Sequence, residues 1–156
     1  MNRLKIVFIG CVEFSALALK KMIQQEYPPV AVLTKSKSDF NSDFVDLQPI
    51  ANANGIPSKS VIDINHLANV EWIKNWEPDV IFCFGWSSLI KVDILNIPSL
   101  GVIGFHPSLL PFNRGRHPII WALVLGLREA GVGRAEAKDS ARMKSKNIDA
   151  RSARSK

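Results

Sequence analysis

The sequence lacks the cysteine framework and the long apolar runs that mark several classes of protein. Its two cysteines, Cys11 and Cys83, lie in or beside apolar stretches and show no framework spacing. Such thiols indicate inert buried side chains in a reducing, cytoplasmic compartment. No apolar run approaches the ~20 residues that cross a bilayer. The basic N-terminus has neither a long apolar region nor a cleavage site, so we expect no signal peptide and no membrane partner.

Motifs of several common enzyme classes are also missing. The turn Gly10–Phe14 has one glycine where dinucleotide-binding folds have G-x-G-x-x-G, which disfavours a nicotinamide or flavin cofactor. No serine lies in a G-x-S-x-G elbow, which argues against a hydrolase of that type. No cysteine or acidic residue is spaced from His106 as zinc ligands are, so the sequence predicts no metal site.

Excess positive charge is confined to the C-terminal part of the chain. Residues 1–127 hold 11 Lys and Arg against 10 Asp and Glu, whereas residues 128–156 hold 9 against 4. The second stretch has few large apolar residues and no strand signal, so we expect disorder or a frayed helix there. It is a solvated tail, out-of-frame sequence or a basic arm for RNA. The predicted domain boundary is therefore residue 127.

Apolar runs alternate with amphipathic stretches over residues 1–127, which is the pattern of βαβ units. The predicted strands are Leu4–Ile9, Val30–Leu33, Asp79–Phe84 and Gly101–Phe105, with an extended segment at Ile56–Lys59. The predicted helices are Ala16–Ile23, Leu47–Asn54, Asn65–Trp76, Leu89–Leu95 and Pro118–Leu127. Residues 35–46 are polar and are expected to form a surface loop. This order predicts an α/β domain with a Rossmann-like, open parallel sheet flanked by helices.

One of the three histidines stands out by its position. His106 follows the apolar strand Gly101–Phe105, and ligands of open α/β sheets bind beyond the carboxyl ends of the strands. His66 lies at a polar helix start, where a surface position is expected. His117 lies at a helix entry, where a structural role is favoured over a contact with substrate. A lone histidine at a strand end is itself more often structural than catalytic. The motif around His106 therefore decides its interpretation.

The residues after His106 form a specific pattern. It reads His-Pro-Ser-Leu-Leu-Pro, then Arg114-Gly115, then a helix that contains Trp121. The turn Gly10-x-x-Glu13-Phe14 and the strand end Phe84-Gly85-Trp86 belong to the same pattern. Together these stretches resemble the formyltransferase family that uses 10-formyltetrahydrofolate. That family includes methionyl-tRNA, glycinamide ribonucleotide and sugar-amine formyltransferases, and the resemblance runs from about residue 5 to residue 127.

The resemblance implies a reaction and a set of site residues. It implies formyl transfer from 10-formyltetrahydrofolate, as co-substrate, to a primary amine, with His106 as general acid and base. The loop of Ser108, Leu109, Leu110 and Pro111 is implied to border the folate. The backbone around Trp86, Leu89 and Ile90 is implied to hold the pterin ring. Arg114 and Arg116 are implied to bind an acceptor phosphate.

The acceptor and the activity itself remain open. The stretches GCVEF and NRGRHPIIWAL are most similar to the sugar-amine branch, which implies an amino-sugar nucleotide as the acceptor. Methionyl-tRNA is the first alternative. A non-catalytic module that binds folate or a nucleotide is the second, and a nucleic-acid-binding protein that uses the basic arm is the third.

Two departures from the family pattern bear on activity. The family has an asparagine two residues before the histidine, where it helps to bind the oxyanion, and this chain has Gly104. The family also has an Asp-x-Gly loop after the Trp121 helix. Asp139 lies near that position, but its neighbours do not match and it is assigned no role. We therefore expect a domain incomplete at its C-terminal end, with weak or no activity of this chain alone.

Overall fold

A computed structural model describes residues 3–37, 42–106, 123–126 and 133–136, with the backbone alone for residues 106 and 133–136. Its strands are β1 Ile6–Gly10, β2 Ala31–Thr34, β3 Ser58–Ser60, β4 Val80–Phe84, β5 Val102–His106 and β6 Gly133–Glu136. Its helices are α1 Glu13–Gln24, α2 Gln48–Ala53, α3 Leu67–Lys74 and α4 Val92–Leu95. In the described residues, no helix has the length and apolar character needed to span a membrane.

The strands form one six-stranded sheet in the order β3-β2-β1-β4-β5-β6. Strands β1 to β5 are parallel, which confirms the predicted α/β fold with a Rossmann-like parallel sheet. The chain first builds outward from β1 to β2 and β3, and it then returns to the other side of β1 for β4 and β5. The carboxyl ends of β1 and β4 therefore form the switch point of the sheet, where ligands of open α/β folds bind.

The core consists of two apolar layers, one on each face of the sheet. All of β1 is buried, which explains why its sequence is a continuous apolar run rather than an alternating one. One face packs on α3 and α4 through a cluster that includes Val7, Ile9, Leu33, Ile73, Ile81 and Ile94. The other packs on α1 and α2 through Phe8, Ala16, Leu19, Val32, Leu47, Ala51 and Ile56. Helices therefore cover the sheet on both faces.

Strand β6 lies where the sequence analysis predicted no strand. It pairs antiparallel with β5, with Gly104 opposite Ala135 and His106 opposite Gly133. The prediction of a frayed helix or disorder is therefore wrong for residues 133–136. An edge strand is held by backbone hydrogen bonds and needs few apolar side chains, so its sequence carries little signal. Apart from this strand, the residues after 127 lie outside the described ones. The domain boundary at residue 127 stays a prediction.

Helix boundaries differ from the predicted ones in a way that matters for the site. The helix predicted at Leu89–Leu95 is confined to Val92–Leu95, so residues 85–91 form a loop. Helix α1 begins at Glu13, three residues earlier than predicted, directly after the β1 turn. The helix predicted at Pro118–Leu127 lies largely outside the described residues.

Candidate functional site

Ser15 joins the start of α1 to the end of β4 at the switch point. Its Oγ donates a hydrogen bond to the Phe84 carbonyl at 2.5 Å and accepts one from the Val12 N–H at 3.3 Å. The side chain is fully buried. Ser15 thus satisfies an N–H group at the start of α1, where no intrahelical partner exists, and fixes the end of β4 against it.

Gly85 lets the chain turn sharply as it leaves β4. Its φ is +64°, a conformation that L side chains rarely adopt. A Cβ at this position would lie 2.1 Å from Val12 Cγ2. The Gly85 carbonyl accepts a hydrogen bond from Cys11 Sγ at 3.3 Å, which ties the turn back to β1. The turn therefore requires glycine for both its backbone conformation and its close packing.

Aromatic rings support the backbone that leads to His106. The Phe105 ring stacks on the Phe14 ring with centroids 4.2 Å apart, and both rings contact Phe84. These residues belong to β5, α1 and β4, so the contacts join three elements at one edge. Because Phe105 directly precedes His106, the packing fixes the position at which His106 leaves the strand.

The loop at residues 85–91 is held by two side chains from other connections. Lys35 directly follows β2. Its Nζ donates to Ser87 Oγ at 3.2 Å and to Ser88 Oγ at 3.1 Å. The Asn65 side chain, from the β3–α3 connection, donates to the Leu89 carbonyl and accepts from the Lys91 N–H, both at 2.8 Å. Side chains rather than a local ladder of backbone hydrogen bonds therefore hold this loop.

The predicted site residues fall partly within the described residues. His106 is the last residue of β5, and Trp86, Leu89 and Ile90 lie in the loop after the neighbouring strand β4. Their backbones therefore lie at the same edge of the sheet. Trp86 and Ile90 pack against the core, whereas the Leu89 side chain is 78% exposed. The remaining predicted site residues lie outside the described ones: Ser108, Leu109, Leu110, Pro111, Arg114 and Arg116. The site assignments remain predictions.

Three residues at this edge were missed by the sequence analysis. Ser15 occupies the third position of α1, where a polar side chain can accept from the backbone, and that signal was available. Lys35 and Asn65 lie in polar connections, and their contacts depend on how distant strands are arranged. No local pattern predicts such contacts.

The described residues include no group of three His, Cys, Asp or Glu side chains that could hold a metal ion. A cavity of about 620 Å³ lies instead at the start of β4, where Glu77, Asp79 and Asp93 contribute to its walls. That is the opposite edge of the sheet from residues 85–91.

The two thiols beside the switch point are free. Burial raises the pKa of Cys83 to about 12 and also raises the pKa of Cys11. An unfolded thiol ionises near pH 8.5. Both side chains are thus neutral at pH 7 and behave as small apolar groups rather than as nucleophiles.

This shift predicts a loss of stability in alkali. Between pH 8.5 and 12 the native Cys83 keeps its proton while the unfolded thiol loses it, so the free energy of unfolding falls as the pH rises. The full contribution is present below pH ~8.5, and the slope for one thiol approaches ~1.4 kcal/mol per pH unit. Urea unfolding from pH 7 to 10.5 measures it. Cys83→Ala should show a shallower slope than the wild type, and equal slopes would contradict the burial of this thiol.

A family model and curated relatives match this chain, and they indicate the same family. The family model for formyl transferase matches residues 4–139. The methionyl-tRNA formyltransferase of Citrifermentans bemidjiense is 31% identical over 136 residues, which cover 85% of this chain and 43% of that protein. The corresponding enzyme of Clostridioides difficile is 32% identical over 133 residues, 83% of this chain and 43% of that one. The chain thus spans less than half the length of these curated relatives.

Solved structures share the fold. Glycinamide ribonucleotide transformylase 1 from Symbiobacterium toebii superposes with a TM-score of 0.70 at 17% identity, covering 86% of this chain and 66% of that one. A formyltetrahydrofolate deformylase from Pseudomonas putida superposes with a TM-score of 0.59 at 18% identity, covering 86% and 49%. At these identities the likeness concerns the fold alone.

Proposed function

This chain belongs to the formyl transferase family, and from that premise we propose that it transfers a formyl group from 10-formyltetrahydrofolate to a primary amine. The observation that carries the proposal is the family match, which spans residues 4–139 and includes the switch-point edge. The relatives at 31–32% identity are named for formyl transfer to methionyl-tRNA.

The loop at residues 85–91 fits a pterin ring. The Trp86 Nε1 atom is buried and has no hydrogen-bond partner among the described residues. Within that part of the chain, the backbone N–H groups of Ser88, Leu89 and Ile90 also have no partner. A pterin carries several donors and acceptors along one edge, and unpaired backbone groups beside a half-buried indole are suited to bind it. This loop is the folate-binding region in our proposal.

The reaction needs one proton to move. The acceptor nitrogen attacks the formyl carbon, and the carbonyl oxygen gains negative charge as the new C–N bond forms. The bond from that carbon to N10 of the folate then breaks, and N10 receives the proton that the amine loses. The products are the formamide and tetrahydrofolate. An imidazole with a pKa near 6.5 can accept and donate this proton at neutral pH, and we assign that role to His106.

Gly104 limits the rate in this proposal. Residue 104 stands where the family pattern has an asparagine that helps to bind the oxyanion, and glycine has no side chain to donate. Loss of one such donor lowers the rate by roughly 10²–10³. We therefore expect turnover of this chain to be slow.

The loop of Ser108 to Pro111 borders the folate in this proposal.

Two acceptors remain in competition. An amino-sugar nucleotide is favoured by the stretches GCVEF and NRGRHPIIWAL, and Arg114 and Arg116 would bind its phosphates. Methionyl-tRNA is favoured by the activity for which the curated relatives are named. Both acceptors carry a primary amine near a phosphate-rich group, so the same chemistry serves either.

The test is a single-turnover assay with the 156-residue chain in excess. The chain is incubated with 10-formyltetrahydrofolate and either an amino-sugar nucleotide or methionyl-tRNA, and mass spectrometry follows the gain of one formyl group. We expect formylation of one acceptor above the uncatalysed rate. Folate binding without formylation of any amine would instead support the non-catalytic module. Absence of both binding and turnover would contradict the proposal.

A further inference from the structure

We propose that Lys35 is a positioning residue that holds the loop at residues 85–91 in the shape that binds folate, an inference that rests on the proposed function. Its Nζ donates to the hydroxyl groups of Ser87 and Ser88 at 3.2 and 3.1 Å. The same Nζ lies 4.9 Å from the centroid of the Trp86 ring. One ammonium group therefore contacts three consecutive residues of the loop.

Lys35 reaches this loop across the switch point. It directly follows β2, and β1 lies between β2 and β4 in the sheet. Two strand spacings of ~4.8 Å separate the strand that carries the lysine from the strand that leads into the loop. Its positive charge also acts to lower the pKa of the buried Cys11 thiol, which directly follows β1. Lys35 thus links the end of β2 to the loop that follows β4.

Among the described residues, Lys35 contacts neutral groups of the loop rather than a carboxylate. The ion pairs of the described residues involve Lys5 and Lys74, and no described carboxylate neutralises Lys35. Its ammonium is satisfied by two hydroxyl groups and the face of an indole ring, which attracts cations. The half-buried charge thus contacts the loop, and it forms no ion pair with a carboxylate of the described residues.

This arrangement leaves the loop backbone available for a ligand. Lys35 uses the side-chain hydroxyls of Ser87 and Ser88, and Asn65 holds the Leu89 carbonyl and the Lys91 N–H. The N–H groups between these two anchors have no partner among the described residues. The two anchors thus keep the loop ordered without occupying those donors. Loss of Lys35 should loosen one end, so that folate binding must order the loop as well as contact it.

The test compares three variants. Lys35→Met keeps the length and the apolar stem but removes the charge and the donors, whereas Lys35→Arg keeps both. Lys37→Met is the matched control, because Lys37 is an exposed lysine two residues away. Calorimetry measures the affinity for 5-formyltetrahydrofolate, and hydrogen exchange of the ligand-free proteins measures the protection of residues 85–91.

We expect Lys35→Met to weaken folate binding roughly tenfold, as for a lost charged hydrogen bond, and to speed exchange at residues 85–91. KM for 10-formyltetrahydrofolate should rise by a similar factor while kcat changes less than about threefold. Lys35→Arg should restore both readouts most of the way, and Lys37→Met should match the wild type.

Two results would overturn the inference. Exchange at residues 85–91 that is unchanged in Lys35→Met would show that the lysine does not hold the loop, whether or not the protein binds folate. Faster exchange with unchanged folate affinity would show that the loop is held but that its order does not matter for binding. Failure of the wild type itself to bind folate would refute the proposed function, and this outcome is separate because the exchange measurement needs no ligand.

Discussion

Replacing His106 with alanine is expected to lower the single-turnover rate of formyl transfer by about 10²–10⁴ relative to the wild type. His106 ends β5, beside the loop that follows β4. Because the amine must lose a proton as it attacks, removal of the only group assigned to carry that proton leaves water to do so. Folate affinity should change little, since our proposal assigns the pterin contacts to residues 85–91.

His66→Ala is the matched control for His106→Ala. His66 caps α3, where its Nδ1 accepts a hydrogen bond from the Ala68 N–H at 3.3 Å, and its side chain is exposed. Loss of this cap should lower the free energy of unfolding by about 1 kcal/mol without changing the rate of formyl transfer. A His106→Ala variant that folds normally and retains the wild-type rate would remove the imidazole from the mechanism.

Gly85→Ala is expected to destabilise the fold by about 2–5 kcal/mol. The backbone at Gly85 has φ +64°, which costs a non-glycine residue about 1–2 kcal/mol. The added methyl group would also lie 2.1 Å from Val12 Cγ2 and 2.8 Å from Ser15 Oγ. Both neighbours belong to the tightly packed start of α1, so the turn or the helix must shift. Urea unfolding followed by circular dichroism measures the loss.

Gly55→Ala separates the two causes. Gly55 has φ +66°, almost the same as Gly85, but nothing lies within 4 Å of a Cβ built there. Its substitution should therefore cost only the backbone term of about 1–2 kcal/mol. If Gly85→Ala and Gly55→Ala destabilised the protein equally, close packing at the switch point would play no part and our description of this edge would be wrong.

The sheet could be predicted because burial on both faces leaves a strong mark in sequence. Continuous apolar runs at β1 and β4 have no other common explanation at that length, and the alternating helices imply parallel crossovers. Strand β6 could not be predicted in the same way, since Gly133–Glu136 is held through the backbone of β5. The helix predicted to begin at Leu89 begins at Val92 instead, because Lys35 and Asn65 hold residues 85–91 in a loop.

The candidate site could be recognised from the sequence only where its residues form a local motif. The pattern after His106 and the turn at Gly10 could be compared with a family as they stand in the chain. Lys35 lies 51 residues before Trp86, and nothing in the polar stretch around it indicates that it crosses β1. Such contacts follow from the strand order β2-β1-β4, which the alternation of helices and strands does not determine.

The most direct test of the account is to locate where folate binds on the wild-type chain. Hydrogen exchange is measured with and without saturating 5-formyltetrahydrofolate. We predict slower exchange at residues 85–91, at the carboxyl edge of the sheet. Unchanged exchange in this loop, with protection confined to the opposite edge around residues 93–99, would contradict the assignment of the switch point as the folate site.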